Sequence, residues 1–274
     1  MAAVCDILTI SRKCISGERN EKAVNYINPP EEPLKNITHR TFYSDILSHE
    51  VGYNIYLPPD YRTSEKRYPV VYHIHGWQGN ESSETGPLEK VCGSRQAITV
   101  FMNAISSEAT YFDALLQIES ILTEELIPHI DGQHRTNATR KGRMLSGFSM
   151  GGAMAFYYAV KHSQLFGSVT SYAGTYHHQY HRDYRGVGRP LETAIGLYEE
   201  MIDEKRYLEE QNILSLIHQN ADKIRGNLYI DMHIGSDDIL YCDNEIMHLY
   251  LQSLNIPHDY KIFTGAGHDL DQIV

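Results

Sequence analysis

The sequence predicts an α/β fold built on one mostly parallel sheet with helices on both faces, and three observations carry that prediction. Short apolar runs recur from about residue 68 onward and alternate with stretches of helical spacing, the pattern of strand–helix–strand units. Several of those runs, YPVVYHI, AITVFM and RMLSGF among them, are mainly apolar without strict alternation, as strands covered on both faces are. At 274 residues the chain is also long enough for one large core.

Taken in order, residues 1–37 read as an extended N-terminal segment. The polar tract from Glu18 to Asn36 carries Pro29, Pro30 and Pro33 and is expected to lie over the surface. HRTFYS and VGYNIYLP, with apolar residues at alternate positions, predict an opening antiparallel pair. PPDY turns the chain into the strand YPVVYHI, and AITVFM follows as the next. Leu115, Ile118, Ile121, Leu122 and Leu126 stand at helical spacing, so a helix is expected from about Asp113 through ELIPHI. RMLSGFS is a buried strand, MGGAMAFYYAVKH a helix and GSVTSYAG the sixth strand. Residues 175–226 form a cap-like insertion, opening with TYHHQYHRDYRGVGRP and continuing into two polar helical stretches. NLYIDMHIG and HDYKIFTG are the last strands, separated by a helix around Glu245 to Leu254 for which Asp243 is the expected cap. No internal repeat appears, and residues 1–274 read as a single domain.

Bulk properties exclude some classes of function. The formal net charge of −11 argues against a nucleic-acid partner, which would need a basic face. No apolar run approaches the roughly 20 residues that span a bilayer, so no membrane association is expected. MAAVCDILTISRKC lacks the basic-then-apolar pattern of a signal peptide. Three glycosylation sequons begin at Asn36, Asn80 and Asn137 and lean towards an extracellular location. Cys5, Cys14, Cys92 and Cys242 match no metal pattern, and a Cys5–Cys14 disulfide is the pairing to look for. His177, His178 and His181 have no acidic cluster nearby to complete a ligand set, so no metal is expected.

The chemistry concentrates in GFSMGG. Ser149 stands between Gly147 and Gly151 where a strand turns sharply into a helix, the nucleophile-elbow pattern G-x-S-x-G. A side chain at either glycine would collide with the neighbouring strand or helix. The turn lifts the serine oxygen above the carboxyl ends of the strands, at a helix N-terminus that favours negative charge. A serine hydroxyl needs a base, and on such a scaffold the base follows the last strand, with the acid between it and the serine. His268 in TGAGHDL meets that requirement. His73 and His75 come too early in the chain, and His177, His178 and His181 lie in the insertion. Asp238 in the turn GSDD is preferred as the acid over its neighbour Asp237. Asp231 lies inside a strand and is expected to point into the packed sheet. The amides of Met150 and of Trp77, in the loop HGWQGNE, are the expected oxyanion donors.

With these residues in hand, the chain resembles the esterase D-like branch of the α/β hydrolases, and within it the feruloyl esterases of carbohydrate esterase family one. The resemblance runs from about Thr38 to Asp269. It is carried by VGYNIYLPPDY, HGWQGNE, ELIPHID, GFSMGG, the turn Gly235–Asp238 and GAGHD. It implies an α/β-hydrolase fold with the insertion after the sixth strand, Ser149 as nucleophile, Asp238 as acid, His268 as base and an oxyanion hole from Trp77 and Met150. It implies no cofactor.

The activity implied is release of ferulate or other hydroxycinnamates from feruloylated arabinoxylan, a plant cell-wall polysaccharide, through an acyl-enzyme. Binding or docking modules outside this chain would fit such a substrate. Two other esterase activities share the family: deacetylation of acetylxylan, and thioester cleavage of S-formylglutathione. The thioesterases carry a cysteine in the loop that here reads HGWQGNE. A non-catalytic carbohydrate-binding scaffold would require a broken catalytic position, and none is visible.

Overall fold

The computed structural model describes residues 25–32, 36–104, 117–176 and 213–274. Eight strands form one sheet: β1 (Ile37–Ser44), β2 (His49–Tyr56), β3 (Val70–Ile74), β4 (Ile98–Met102), β5 (Arg143–Phe148), β6 (Ser168–Tyr172), β7 (Tyr229–Gly235) and β8 (Asp259–Phe263). Their order is β1-β2-β4-β3-β5-β6-β7-β8. The pairs β1/β2 and β2/β4 are antiparallel and all later pairs are parallel. Strand alternation then divides the core between two faces. Val70, Tyr72 and Ile74 join the larger apolar cluster, whereas Phe101, Tyr172 and Ile234 join a smaller one.

Helices cover both faces. The larger cluster takes in α2, which passes through a π-helical segment (Ile121–Leu126) into Ile127–Gln133, together with α3 (Met150–Lys161) and α4 (Ile213–Ile224). Met247 and Leu251 of α5 (Tyr241–Ser253) join them there. The smaller cluster takes Leu88 and Cys92 of α1 (Thr85–Arg95) and Leu270 and Ile273 of α6 (Leu270–Ile273). Helix α3 is buried over nearly its whole surface, which an apolar, Ala-rich helix lying against a sheet requires.

Four details depart from the sequence expectation. β2 is buried from Val51 to Tyr56 without alternation, because it is an interior strand flanked by β1 and β4. Helix α1 was not anticipated: Gly86, Pro87 and Gly93 mask it, yet Pro87 falls in the first turn, where no amide is needed. Helix α5 starts earlier than expected, so Asp243 lies buried in its first turn and Leu240 takes the cap position. Helix α4, in the stretch expected to be polar, buries Ile213, Ile217, Ala221 and Ile224 along one stripe and packs on α3.

Residues 25–32 run without regular structure and are tied to the domain. The Gly52 amide donates to the Tyr26 carbonyl at 2.7 Å, and Asn103 Nδ2 donates to the Asn25 carbonyl at 3.2 Å. Residues 1–24 and 33–35 of the N-terminal segment, with the Cys5–Cys14 pairing, and residues 177–212 of the insertion, with His177, His178 and His181, lie outside the described residues. Among the described residues Cys92 and Cys242 form no disulfide, and the Cys92 thiol donates to Thr99 Oγ1 at 3.3 Å. No helix among the described residues is long and apolar enough to cross a membrane. Among those residues no group of three or more His, Cys, Asp or Glu side chains could hold a metal ion.

Candidate active site

Ser149 occupies the junction of β5 and α3 with φ 55° and ψ −117°. A non-glycine residue adopts that region only where its surroundings impose it, at a cost of about 1–3 kcal/mol. Three backbone hydrogen bonds impose it here: Ser149 N–H to the Tyr172 carbonyl (2.9 Å), and Thr175 N–H (3.1 Å) and Ala153 N–H (3.2 Å) to the Ser149 carbonyl. The flanking glycines allow the approach. A β-carbon at Gly147 would stand 2.1 Å from the Gly151 carbonyl oxygen, and one at Gly151 would stand 2.0 Å from the carbonyl oxygen of Ile74. Both collisions are the ones the sequence predicted, with a helix in the first case and a strand end in the second.

The structure brings Ser149, His268 and Asp238 into one hydrogen-bonded chain. His268 Nε2 lies 3.0 Å from Ser149 Oγ, and Nδ1 lies 2.8 Å from Asp238 Oδ2. With the proton on Nδ1, the imidazole donates to the carboxylate and accepts from the serine hydroxyl. The Asp238 side chain is fully covered, and its other oxygen accepts the Leu240 amide at 2.7 Å, so both oxygens have partners. The His268 side chain stays 28% exposed. Two loops are zipped together to hold this arrangement. Asp237 N–H donates to the Ala266 carbonyl (2.9 Å), Ser236 N–H to the Phe263 carbonyl (3.0 Å) and Gly265 N–H to Ser236 Oγ (2.8 Å). Asp237 itself turns to Ser236, whose hydroxyl it accepts at 2.8 Å, and Asp231 pairs with Lys261 and His233 inside the sheet.

Two neighbours of the chain were not legible in the sequence. The Phe148 ring stacks on His268 at 4.7 Å between centroids and 28° between planes. Thr175 Oγ1 approaches Ser149 Oγ at 3.4 Å from the side of β6. A variable residue inside an elbow motif and a threonine in a loop carry no pattern that distinguishes them.

The loop after β3 closes the other side. Gly76 N–H donates to Glu84 Oε1 at 2.8 Å, and the Gly79 amide donates to the Gly76 carbonyl at 3.0 Å, which makes a tight turn with Trp77 and Gln78 at its corner. Gln78 has φ 61°. His75 Nδ1–H also donates to the Gly76 carbonyl (2.7 Å), while its Nε2 accepts the Ala104 amide (2.9 Å). Burial holds the His75 imidazole below its ordinary pKa, and a neutral ring is what this pair of bonds requires. A β-carbon on Gly76 would meet the Phe148 ring at 3.3 Å and the Phe148 carbonyl oxygen at 3.5 Å, so loop and elbow are in contact. The Trp77 amide belongs to that loop. The Met150 amide lies in the first turn of α3, where amides have no partner further back in the helix. The Trp77 side chain, by contrast, is 61% exposed.

A mostly parallel sheet with a strained serine at a strand end, bonded through histidine to a buried aspartate, defines an α/β hydrolase of the serine type. The chain belongs to the esterase family described as putative esterase, which matches residues 44–270. An esterase of Mycobacterium tuberculosis is 32% identical over 145 residues, covering 48% of this chain and 31% of the relative. An endo-1,4-beta-xylanase/feruloyl esterase of Xylanibacter ruminicola is 30% identical over 152 residues, covering 48% of this chain and 20% of the relative. The chain therefore spans less than a third of the length of these curated relatives. Among solved structures, a ferulic acid esterase superposes with a TM-score of 0.68 at 21% identity, over 86% of this chain and 92% of the other. The S-formylglutathione hydrolase of Staphylococcus aureus gives 0.67 at 16%, over 85% and 92%. A carbohydrate esterase family one ferulic acid esterase from the fungus Anaeromyces mucronatus gives 0.56 at 24%, over 93% and 91%. These structural likenesses define the fold that all of them share.

Proposed function

We propose that this protein hydrolyses hydroxycinnamate esters of plant cell-wall polysaccharide, releasing ferulate or a close analogue from feruloylated arabinoxylan through an acyl-enzyme. The observation that carries the hydrolytic part is the chain Ser149–His268–Asp238, with bonds of 3.0 and 2.8 Å from three separate segments. The relative that couples xylanase and feruloyl esterase in one chain supports the substrate class.

On this reading the steps are these. Ser149 Oγ attacks the ester carbonyl while its proton passes to His268 Nε2. The buried Asp238 carboxylate holds Nδ1–H and stabilises the imidazolium that forms. The carbonyl oxygen gains negative charge, which the amides of Trp77 and Met150 would receive. Collapse of this intermediate breaks the ester bond, and His268 returns the proton to the departing sugar oxygen. Water then gives its proton to His268 and attacks the acyl carbonyl; a second collapse frees the carboxylic acid and returns the proton to Ser149. On this reading the enzyme works outside the cell, in keeping with its sequons.

The test is release of ferulate from methyl ferulate and from feruloylated arabinoxylan, run beside acetylated xylan and S-formylglutathione. Ferulate release that vanishes in Ser149→Ala supports the reading. Turnover confined to acetylated xylan or to the thioester would replace the substrate while keeping the mechanism.

A further inference from the structure

Beneath the site lies a second serine–histidine–carboxylate chain that the proposed chemistry does not use. Ser146 Oγ donates to His73 Nδ1 at 2.9 Å, and His73 Nε2–H donates to Glu84 Oε2 at 2.5 Å. The other carboxylate oxygen, Oε1, accepts the Gly76 amide at 2.8 Å. His73 is 1% exposed, Ser146 2% and Glu84 8%. Substrate cannot reach a chain this deep, so it is not a second catalytic centre.

Resting on the serine-esterase reading above, we propose that Glu84, through His73 and Ser146, is the positioning residue of the oxyanion loop. The placement of Glu84 is the first reason. It occupies the cap position of α1, where a carboxylate ordinarily accepts an amide from its own helix, yet it makes no such bond. Both of its oxygens are committed instead to Gly76 and His73. The second reason is what the bond to Gly76 fixes. Glu84 holds the amide of Gly76 while His75 and Gly79 hold its carbonyl. That carbonyl shares a rigid peptide plane with the Trp77 N–H. With both polar groups of Gly76 held, the Trp77 N–H has one direction available.

The third reason is where the chain is anchored. His73 pairs with Ser146 across β3 and β5, and Ser146 lies three residues before Ser149 on the strand that ends in the elbow. The loop that bears one proposed oxyanion donor is thereby referenced to the strand that bears the nucleophile. An isolated buried carboxylate would be costly, but a histidine and a backbone amide satisfy this one.

The experiment uses the full chain with p-nitrophenyl acetate and methyl ferulate as substrates, and a phenylboronic acid as a probe of the tetrahedral adduct. Glu84→Ala should lower kcat roughly a hundredfold with KM within about threefold of wild type, as removal of one oxyanion donor does. Affinity for the boronic acid should fall by a similar factor. Glu84→Gln should recover kcat to within about fivefold. Its amide oxygen can accept Gly76 N–H, and its NH2 can donate to His73 Nε2 once the ring proton moves to Nδ1 and is accepted by Ser146 Oγ.

A kcat for Glu84→Ala within threefold of wild type overturns the proposal. So does a kcat loss with unchanged boronate affinity, or a loss carried by KM alone. Should Glu84→Ala fail to fold, Ser146→Ala decides. It should cost kcat about three- to tenfold without moving KM, and full activity there overturns the proposal. Ser149→Ala in the same assays separates the two levels. If it is inactive while the Glu84 variants are unimpaired, only the positioning role falls; if it retains wild-type turnover, the mechanism beneath both readings falls.

Discussion

Two chains of the same residue types run side by side in this protein, Ser149–His268–Asp238 and Ser146–His73–Glu84. Their bond lengths are nearly alike, 3.0 and 2.8 Å in the first and 2.9 and 2.5 Å in the second. They differ in backbone and in access. Ser149 sits at a turn with positive φ beyond the strand end, its histidine partly open to solvent. Ser146 lies within β5, and its partner histidine is sealed beneath a loop. A hydroxyl, an imidazole and a carboxylate are therefore not enough to make a nucleophile. The turn that presents the oxygen above the sheet gives the first chain its chemistry; burial turns the second into a brace.

The comparison is broken most severely by exchanging roles. Ser149→Ala should lower kcat by at least a thousandfold on any ester, and Asp238→Asn by roughly ten-thousandfold, because an amide cannot select the Nδ1–H tautomer. Ser146→Ala should cost only a few-fold in kcat on the same esters. Comparable losses at Ser146 and Ser149 would erase the distinction drawn between them.

Next in size is the elbow's packing. Gly151→Ala sets a methyl group 2.0 Å from the Ile74 carbonyl and 2.5 Å from that of His75, two backbone atoms that cannot withdraw cheaply. Destabilisation above about 4 kcal/mol is expected, read as lost soluble yield or a collapsed melting midpoint. Gly86→Ala in α1 is the control. Its β-carbon meets nothing within 4 Å, so the substitution should be neutral or stabilise by roughly 0.5–1 kcal/mol.

Smaller again is the effect of the ring stacked on His268. An aromatic face attracts a cation, so Phe148 favours the imidazolium formed during proton transfer. Phe148→Leu should reduce kcat about three- to tenfold, and an unchanged kcat would limit Phe148 to packing.

The smallest effect concerns acid sensitivity. Burial lowers the His75 pKa, so in the window just below the unfolded value of about 6.5 the unfolded chain binds a proton that the folded chain does not. Stability from this source is complete above that value and declines as pH falls through the window. His129 and His134, also lowered by burial, add to the same trend. Melting midpoints at pH 7.5, 6.5 and 5.5 should decline in that order, and His75→Gln should flatten the decline.

The motifs that could be read directly were those in which geometry forces the residue type. GFSMGG announces an elbow because two close backbone approaches tolerate only glycine, and TGAGHDL follows the last strand where the base has to come. The turn after β7 offers both Asp237 and Asp238, and it was the family resemblance, through the turn Gly235–Asp238, that pointed to the second. Helix α1 stayed hidden because its glycines and proline suppress helical pattern. Phe148, Thr175, Glu84 and His73 stayed hidden because each acts through a partner distant in the chain. ESSE in the early loop offers two carboxylates, and sequence order alone gives no reason why Glu81 should tie the N-terminal segment through Asn28 while Glu84 holds the loop after β3.

The sequence by itself determined the alternation of strands and helices, the elbow and the order of serine, acid and base, since these follow from local backbone sterics and apolar patterning. Only the tertiary structure decided that Ser146 joins a second, buried histidine, what stacks on the base and what braces the loop opposite it. Those outcomes depend on burial and on hydrogen bonds between strands that are neighbours in the sheet but far apart along the chain.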